Sequence, residues 1–369
     1  MKKVSVVVMW ALIAVLAFPL MSAGPATRVQ AQDDTLTVLC TPQEDWCVAM
    51  TQAFEEETGI ETNYVRMSSG ESLARIRATQ EDPEFSVWWG GPADAFIAAY
   101  EEGLIEPYEP ELASVLPEKA VGVDHSWHGI YMGAIGFCSN VDYLKELGVE
   151  PPTSWEDLLD PALKGNIAMA HPATSGTAFT SFWTIVTLKA DELEAVEAGT
   201  GYDEEGNPTE AAIDAAFEYF AQLHQNILQY TRSGSAPGQM AATGQIGVAI
   251  IFAHDCVKLQ VEGFEGVVVN TFPEEGTGYE IGGMALIKDG PEPETAKQWI
   301  EWALTPEAQA IAATVNSLQL PTNPETPVSE LSPKLEDVNL VDYNFIAAGM
   351  HRTEMVERFD AEIAPQPTE

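Results

Sequence analysis

Three polar clusters interrupt apolar stretches of the chain, and each carries residue types suited to holding a small polar molecule. The first is Ser68-Ser69-Gly70, after an extended run at 60–67 and before a helical pattern at 73–80. The second is Ser175-Gly176-Thr177, between a strand pattern at 166–170 and a helical pattern at 178–189. Hydroxyls and a glycine ahead of a helix place free backbone N–H groups and the positive helix end where an anion can sit. Ser69 also suits the plainer role of an N-cap. The third cluster is His254-Asp255, which ends the run Ile246, Val248, Ala249, Ile250, Ile251, Phe252. A run of that kind reads as a strand buried on both faces. Polar residues at its carboxyl end lie where open α/β sheets bind ligands. Asp255 as a cap of the next helix, with no ligand contact, is the alternative.

The elements that must position these clusters follow from periodicity. Strands are expected at 36–40, 60–67, 85–89, 166–170 and 267–271, and helices at 42–56, 93–102, 140–147, 209–226, 294–304 and 306–314. A helix start is expected at Ser154 or Thr153, and another helix near 352–360. The stretch 85–89 runs into Gly90-Gly91-Pro92, a turn with two glycines at a strand end. Trp88 and Trp89 alternate across that strand, which predicts one in the core and one, with Gly90 and Gly91, near a cleft. Runs at 130–138 and 276–287 are broken by glycines and read as strands crossing between two lobes. A polar turn at 230–237 carries Arg232 and Ser233. His125 and His128 lie in a loop and do not match a helical metal pair.

Composition narrows the function classes. The chain has 369 residues, 46% of them hydrophobic, enough for about two domains. Residues 1–31 read as a signal peptide, with Lys2 and Lys3 before an almost wholly apolar stretch, Val29-Gln30-Ala31 as the expected cleavage site and Ser22-Ala23-Gly24 as the weaker alternative. The formal charge is −40. Cleavage after Ala31 would remove three basic residues and no acid, leaving 14 basic residues against 57 acidic ones, a charge of −43. No basic patch can be assembled, so nucleic-acid binding is excluded. An anionic ligand needs a local positive site against this field. The four cysteines, in an exported and oxidising compartment, are expected to pair as Cys40–Cys47 and Cys138–Cys256. A structural zinc site is the less favoured alternative.

The order of these features resembles the type II periplasmic solute-binding proteins of ABC importers. The features that carry it are the export signal, the opening strand, Ser68-Ser69-Gly70, Trp89-Gly90-Gly91, Thr174-Ser175-Gly176-Thr177 and the Gly-Tyr-Glu-Ile-Gly-Gly stretch at 278–283. The resemblance implies an α/β fold of two lobes, hinge crossing strands and an interlobe cleft. Lobe 1 is expected to hold 32–133 with 282–315, and lobe 2 134–281 with 316–369. Within that family the chain is similar to the branch that binds ferric iron or hexose phosphates. Iron binders of this type use two adjacent tyrosines, hard oxygens for a hard cation. Here Tyr230 is followed by Thr231 and Arg232, so a phosphorylated ligand is expected and iron is the runner-up. The resemblance carries sugar contacts to His254, Asp255 and Glu280, and phosphate contacts to Ser68, Ser69, Gly70, Ser175, Gly176 and Thr177. Arg232 is the expected charge partner. No enzyme activity, cofactor or metal is expected. The expected partners are a small anionic ligand and a membrane permease, with a sensor or chemoreceptor as another possible client, and the chain is expected to be a monomer outside the cytoplasm.

Overall fold

The computed structural model describes residues 35–367. The expected signal peptide, 1–31, lies outside the described residues. The described part opens with β1 (Thr35–Cys40), α1 (Glu44–Thr58), β2 (Glu61–Arg66), α2 (Ser69–Ala78), β3 (Val87–Pro92) and α3 (Ala93–Glu101). A two-residue β4 (Ile105–Glu106) and the long β5 (His128–Asn140) follow, then α4 (Val141–Leu147), β6 (Ile167–Ala170), α5 (Gly176–Val196) and α6 (Glu210–Leu223). Next come β7 (Ile227–Thr231), α7 (Ala236–Ala242), β8 (Val248–Phe252), α8 (Ala253–Leu259), β9 (Val268–Thr271) and β10 (Tyr279–Ile287). The chain ends with α9 (Pro293–Ala303), α10 (Pro306–Thr314), β11 (Leu320–Pro321) and α11 (Phe345–Glu362).

The strands form one path in the order β2-β1-β3-β10-β5-β8-β6-β7. Strands β2, β1 and β3 are parallel, as are β8, β6 and β7. Between these two parallel sets lie β10 and β5, antiparallel to each other. The first half of β5 pairs with β10 and β11, and the second half with β8 and β9. One strand thus serves both lobes, and its glycines make that feasible. A Cβ on Gly133 would lie 2.5 Å from the His254 ring, and one on Gly282 in β10 would lie 2.1 Å from the Tyr131 ring.

The inner parallel strands β3, β6 and β8 are covered on both faces, and every residue in them is buried. This corrects the expectation for Trp89. Trp88 and Trp89 are 0% and 1% exposed. Trp88 packs on Phe96 of α3, while Trp89 meets Trp46 of α1 and Trp299 of α9 edge-on. Both faces of β3 are core, so alternation sends neither tryptophan to the cleft. Helix α11 ties the lobes together. Its Gly349 sits against Ile97 of α3, Arg352 pairs with buried Asp94, and Phe359 packs on Phe182 and Phe220 of α5 and α6.

Several local expectations shift. Helix α2 starts at Ser69 rather than 73, with Ser68 as N-cap and a capping box to Glu71, whose carboxylate accepts from the Ser68 N–H at 3.2 Å. The cap is Ser68, not Ser69. Helix α8 begins at Ala253 with Phe252 as N-cap. Asp255 is therefore in the first turn and is not the cap. The predicted helix after Ser154 is only a 3₁₀ turn, Glu156–Leu159.

Two disulfides close as the sequence predicts, Cys40–Cys47 over a separation of 7 residues and Cys138–Cys256 over 118. Chain-entropy arguments weight the longer loop more, about 5 against about 2 kcal/mol. Replacing Cys138 and Cys256 together by Ala should lower the melting temperature more than replacing Cys40 and Cys47, as calorimetry can measure; the reverse order would contradict the loop argument. The surplus of acid should also show in solution. The melting temperature should rise between 0.05 and 1 M NaCl, roughly a Debye length of 14 to 3 Å, as salt screens self-repulsion. A fall would mean that the ion pairs outweigh the net charge.

Candidate functional site

Strand ends and helix starts from both lobes converge on one cavity of about 70 Å³. The β1–α1 turn supplies Thr41, Pro42 and Gln43; the β2–α2 turn supplies Arg66, Ser68 and Ser69; the end of β3 supplies Gly91 and Pro92. From the second lobe come Ser175, Gly176 and Thr177 at the start of α5, Gly234 and Ser235 before α7, and Phe252, His254 and Asp255 at the β8–α8 junction. The crossing strands add Tyr131 and Glu280, and the segment before β11 adds Gln319.

Nine of the sequence-predicted residues therefore line one space: Ser68, Ser69, Gly91, Ser175, Gly176, Thr177, His254, Asp255 and Glu280. Five do not. Trp89 is in the core. Gly90, at φ 90°, lies beneath Pro42, whose ring a Cβ would strike at 2.3 Å. Gly70 is a lobe contact: its N–H donates to the Thr174 carbonyl at 3.0 Å, and a Cβ would lie 2.2 Å from the Ala173 carbonyl oxygen. Ser233 sits beside the wall, its hydroxyl 3.4 Å from that of Ser235. Arg232 is turned to the rim. Its guanidinium pairs with Glu71 at 2.5 Å with the side chain 48% exposed. The nearest oppositely charged side chain has claimed it.

Sequence reasoning missed Arg66, among the described residues the sole Lys or Arg on the cavity wall. It ends β2, and its Nε donates to the Pro42 carbonyl at 3.0 Å. That anchor aims the guanidinium along the β1–α1 turn. Its signal was available: a cation at a strand's carboxyl end in a chain with few cations. Tyr131, Gln43 and Gln319 had no local signal. The Tyr131 hydroxyl accepts from the Gly91 N–H at 2.9 Å, which fixes the β3 turn against the crossing strand.

The two hydroxyl loops meet across the cleft. The Gly176 N–H, in the first turn of α5, donates to Ser69 Oγ at 2.8 Å. Further cross-lobe contacts flank them. The Gln43 amide donates to Asp255, and Lys258 of α8 reaches Asp45 of α1 at 2.5 Å. The lobes are thus in direct contact around the cavity.

The acids in the cavity are held out of water. Burial raises Asp255 to about 7, against weaker lowering by Lys258 and Arg66. Burial first, then the Asp255 and Asp94 charges, raises Glu280 well above its usual range. Burial lowers His254 to about 3, so its ring is neutral. Asp255 lies 3.8 Å from His254 Nε2. Neutral imidazole and shielded carboxyls can exchange hydrogen bonds with ligand hydroxyls. Among the described residues, no group of three or more His, Cys, Asp or Glu side chains is arranged to hold a metal ion. Tyr230, the expected counterpart of an iron-binding tyrosine, packs on His171 and Phe359 with its hydroxyl 3.2 Å from His224 Nδ1, off the cavity wall. His171 holds the Ala364 carbonyl at 2.9 Å, also away from the cavity. His128 starts β5, buried, with His125 beside it at 3.4 Å.

The raised Asp255 carboxyl has a signed consequence. A folded-state value of about 7 against a lower unfolded one means the native state binds the extra proton between about pH 4 and 7. Stability should fall as pH rises through that window, and Asp255→Asn should lessen the fall. Melting temperatures of both proteins at pH 5 and pH 8 test this; equal drops would show that Asp255 is not the buried acid responsible.

Known proteins resemble this chain over most of its length. A family model described as bacterial extracellular solute-binding protein matches residues 49–338. An uncharacterised protein of Haemophilus influenzae is 33% identical over 356 residues, covering 93% of this chain and 95% of that protein. A putative 2-aminoethylphosphonate-binding periplasmic protein of Salmonella typhimurium is 26% identical over 318 residues, 82% of this chain and 78% of that one. The solved structure of the periplasmic binding protein AfuA from Actinobacillus pleuropneumoniae, with exogenous fructose-6-phosphate bound, superposes with a TM-score of 0.78 at 32% identity, over 89% of this chain and 98% of AfuA. The chain thus belongs to the bacterial extracellular solute-binding proteins, with the type II fold of the periplasmic substrate-binding components of ABC importers.

Proposed function

We propose that the chain captures a phosphorylated small molecule, such as a hexose phosphate, between its lobes and delivers it to an ABC permease. One observation carries this reading: the cavity wall joins a donor set and an acceptor set. Arg66 stands with Ser69, Ser175, Gly176 and Thr177 at the starts of two helices, α2 and α5. Helix N-termini, hydroxyls and a guanidinium are what a phosphoryl group requires. His254, Asp255 and Glu280 on the same wall suit sugar hydroxyls. AfuA, bound to fructose-6-phosphate, supports the same reading.

Capture follows from differential contact. An anion on Arg66 touches the first lobe, and the start of α5 adds donors only when the second lobe closes. The ligand thus favours the closed form by the contacts unique to it. Closure also unites surface from both lobes for a permease to read. In this reading the chain acts as a monomer and performs no chemistry on its ligand.

Fructose 6-phosphate should raise the melting temperature and free fructose should not. No shift with any phosphorylated compound, together with a purple complex on adding Fe³⁺, would reverse the choice of ligand. Arg66→Met should weaken binding about 10- to 100-fold, the scale of a charged hydrogen bond. Arg232→Ala should cost under about threefold, as expected for an exposed pair. Calorimetric titration checks both, and a larger loss at Arg232 would move the phosphate to the rim.

A further inference from the structure

Two amide oxygens on the cavity wall have no partner among the described residues. Gln43 Oε1 and Gln319 Oε1 are both buried and accept no hydrogen bond from them, and both side chains line the cavity. An acceptor left unmade costs about 1–3 kcal/mol, and native structures satisfy nearly all of them. The orientation of Gln43 is fixed by its neighbour. Its Nε2 donates to Asp255 Oδ1, so the oxygen is the atom left over. Gln43 is the N-cap residue of α1, yet its side chain makes no cap hydrogen bond; it reaches across the cleft instead. Gln319 stands just before β11, the short strand paired to β5 beside the hinge. These two residues come from segments that supply none of the hydroxyl loops or the His254-Asp255 pair. With Asp255 and Glu280 they give the wall four side chains that accept through a carboxyl or amide oxygen.

We infer that Gln43 and Gln319 are specificity-determining residues that accept hydrogen bonds from hydroxyl or ammonium donors on the non-phosphate part of the ligand. The cleft then selects phosphoesters rich in such donors, sugar phosphates foremost, over those that carry none. This rests on the reading of the cavity as an organophosphate site. Gln43 adds a link to closure. Its amide already joins the first lobe to Asp255 of the second, and a donor on its oxygen would polarise that bond and strengthen it. A ligand lacking the donor leaves a buried acceptor unmade in the closed form, and sites built to hydrogen-bond a hydroxyl reject analogues lacking it far more strongly than apolar sites reject a missing methylene.

The test is calorimetric titration of the native chain, Gln43→Leu and Gln319→Leu with fructose 6-phosphate and with methyl phosphate, whose dianion has no donor. Melting temperatures of the unliganded variants check that each has folded, and either variant alone suffices. The expected result is a loss of about 5- to 150-fold for fructose 6-phosphate and under about twofold for methyl phosphate. Equal losses for both ligands would make the glutamines packing residues and overturn the inference. Unchanged fructose 6-phosphate binding would mean that waters satisfy the amide oxygens, which also overturns it. If the native chain binds methyl phosphate as tightly as fructose 6-phosphate, the organophosphate reading stands and this inference falls. Binding of neither ligand removes both.

Discussion

Everything in this molecule answers to the cost of keeping polar groups dry. Asp255 and Glu280 are 7% and 3% exposed, and His254 is 5% exposed. No helix or sheet needs two carboxyls and an imidazole in that place. They are tolerable because Asp255 accepts from the Gln43 amide and burial holds the carboxyls and the imidazole toward their uncharged forms. The rest of the fold makes the enclosure possible. Parallel strands end together, the helices after them begin together, and β5 and β10 carry the sheet from one lobe to the other. The cavity is what remains where those ends meet.

Charge sets the second constraint. A chain with 57 acidic and 17 basic residues repels the anion proposed as its ligand. Positive potential must therefore be local and built largely from backbone. Two helix starts supply it, with one guanidinium added. The other cations near the cleft, Arg232 and Lys258, are spent on acids of the opposite lobe. They hold the rim and leave the interior to Arg66. The same allocation denies a neutral sugar the contacts at Arg66 and the helix starts, which suits selection by the phosphoryl group.

Much of this was legible in the sequence, for identifiable reasons. The strands, the helices and the hydroxyl loops follow from local pattern: buried strands read as apolar runs, and helix starts are marked by Ser, Thr and Gly; the two-lobed fold came from the family resemblance, and the disulfides from cysteine spacing in an exported chain. What the sequence could not fix was direction. Arg232 looked like the charge partner until Glu71, 161 residues away, was seen to hold it. Trp89 looked exposed to a cleft because alternation was assumed to have a wet side, and β3 has none. Tyr131, Gln43 and Gln319 reach the cavity only through tertiary placement, whereas Arg66 was marked by its place at a strand's carboxyl end. Strand β7 was missed because its residues are mostly exposed or half-buried and do not alternate cleanly.

The central claim is that an organophosphate lies inside the cleft with its phosphoryl group on Arg66 and the starts of α2 and α5. A crystal structure of the chain grown with fructose 6-phosphate tests it most directly. The account predicts phosphate oxygens within hydrogen-bond distance of Arg66, Ser69 and Ser175 or Thr177, and sugar hydroxyls on Asp255 and Glu280. A phosphoryl group found on Arg232 or Lys258 at the rim, or a cleft that stays empty at saturating ligand, would contradict it.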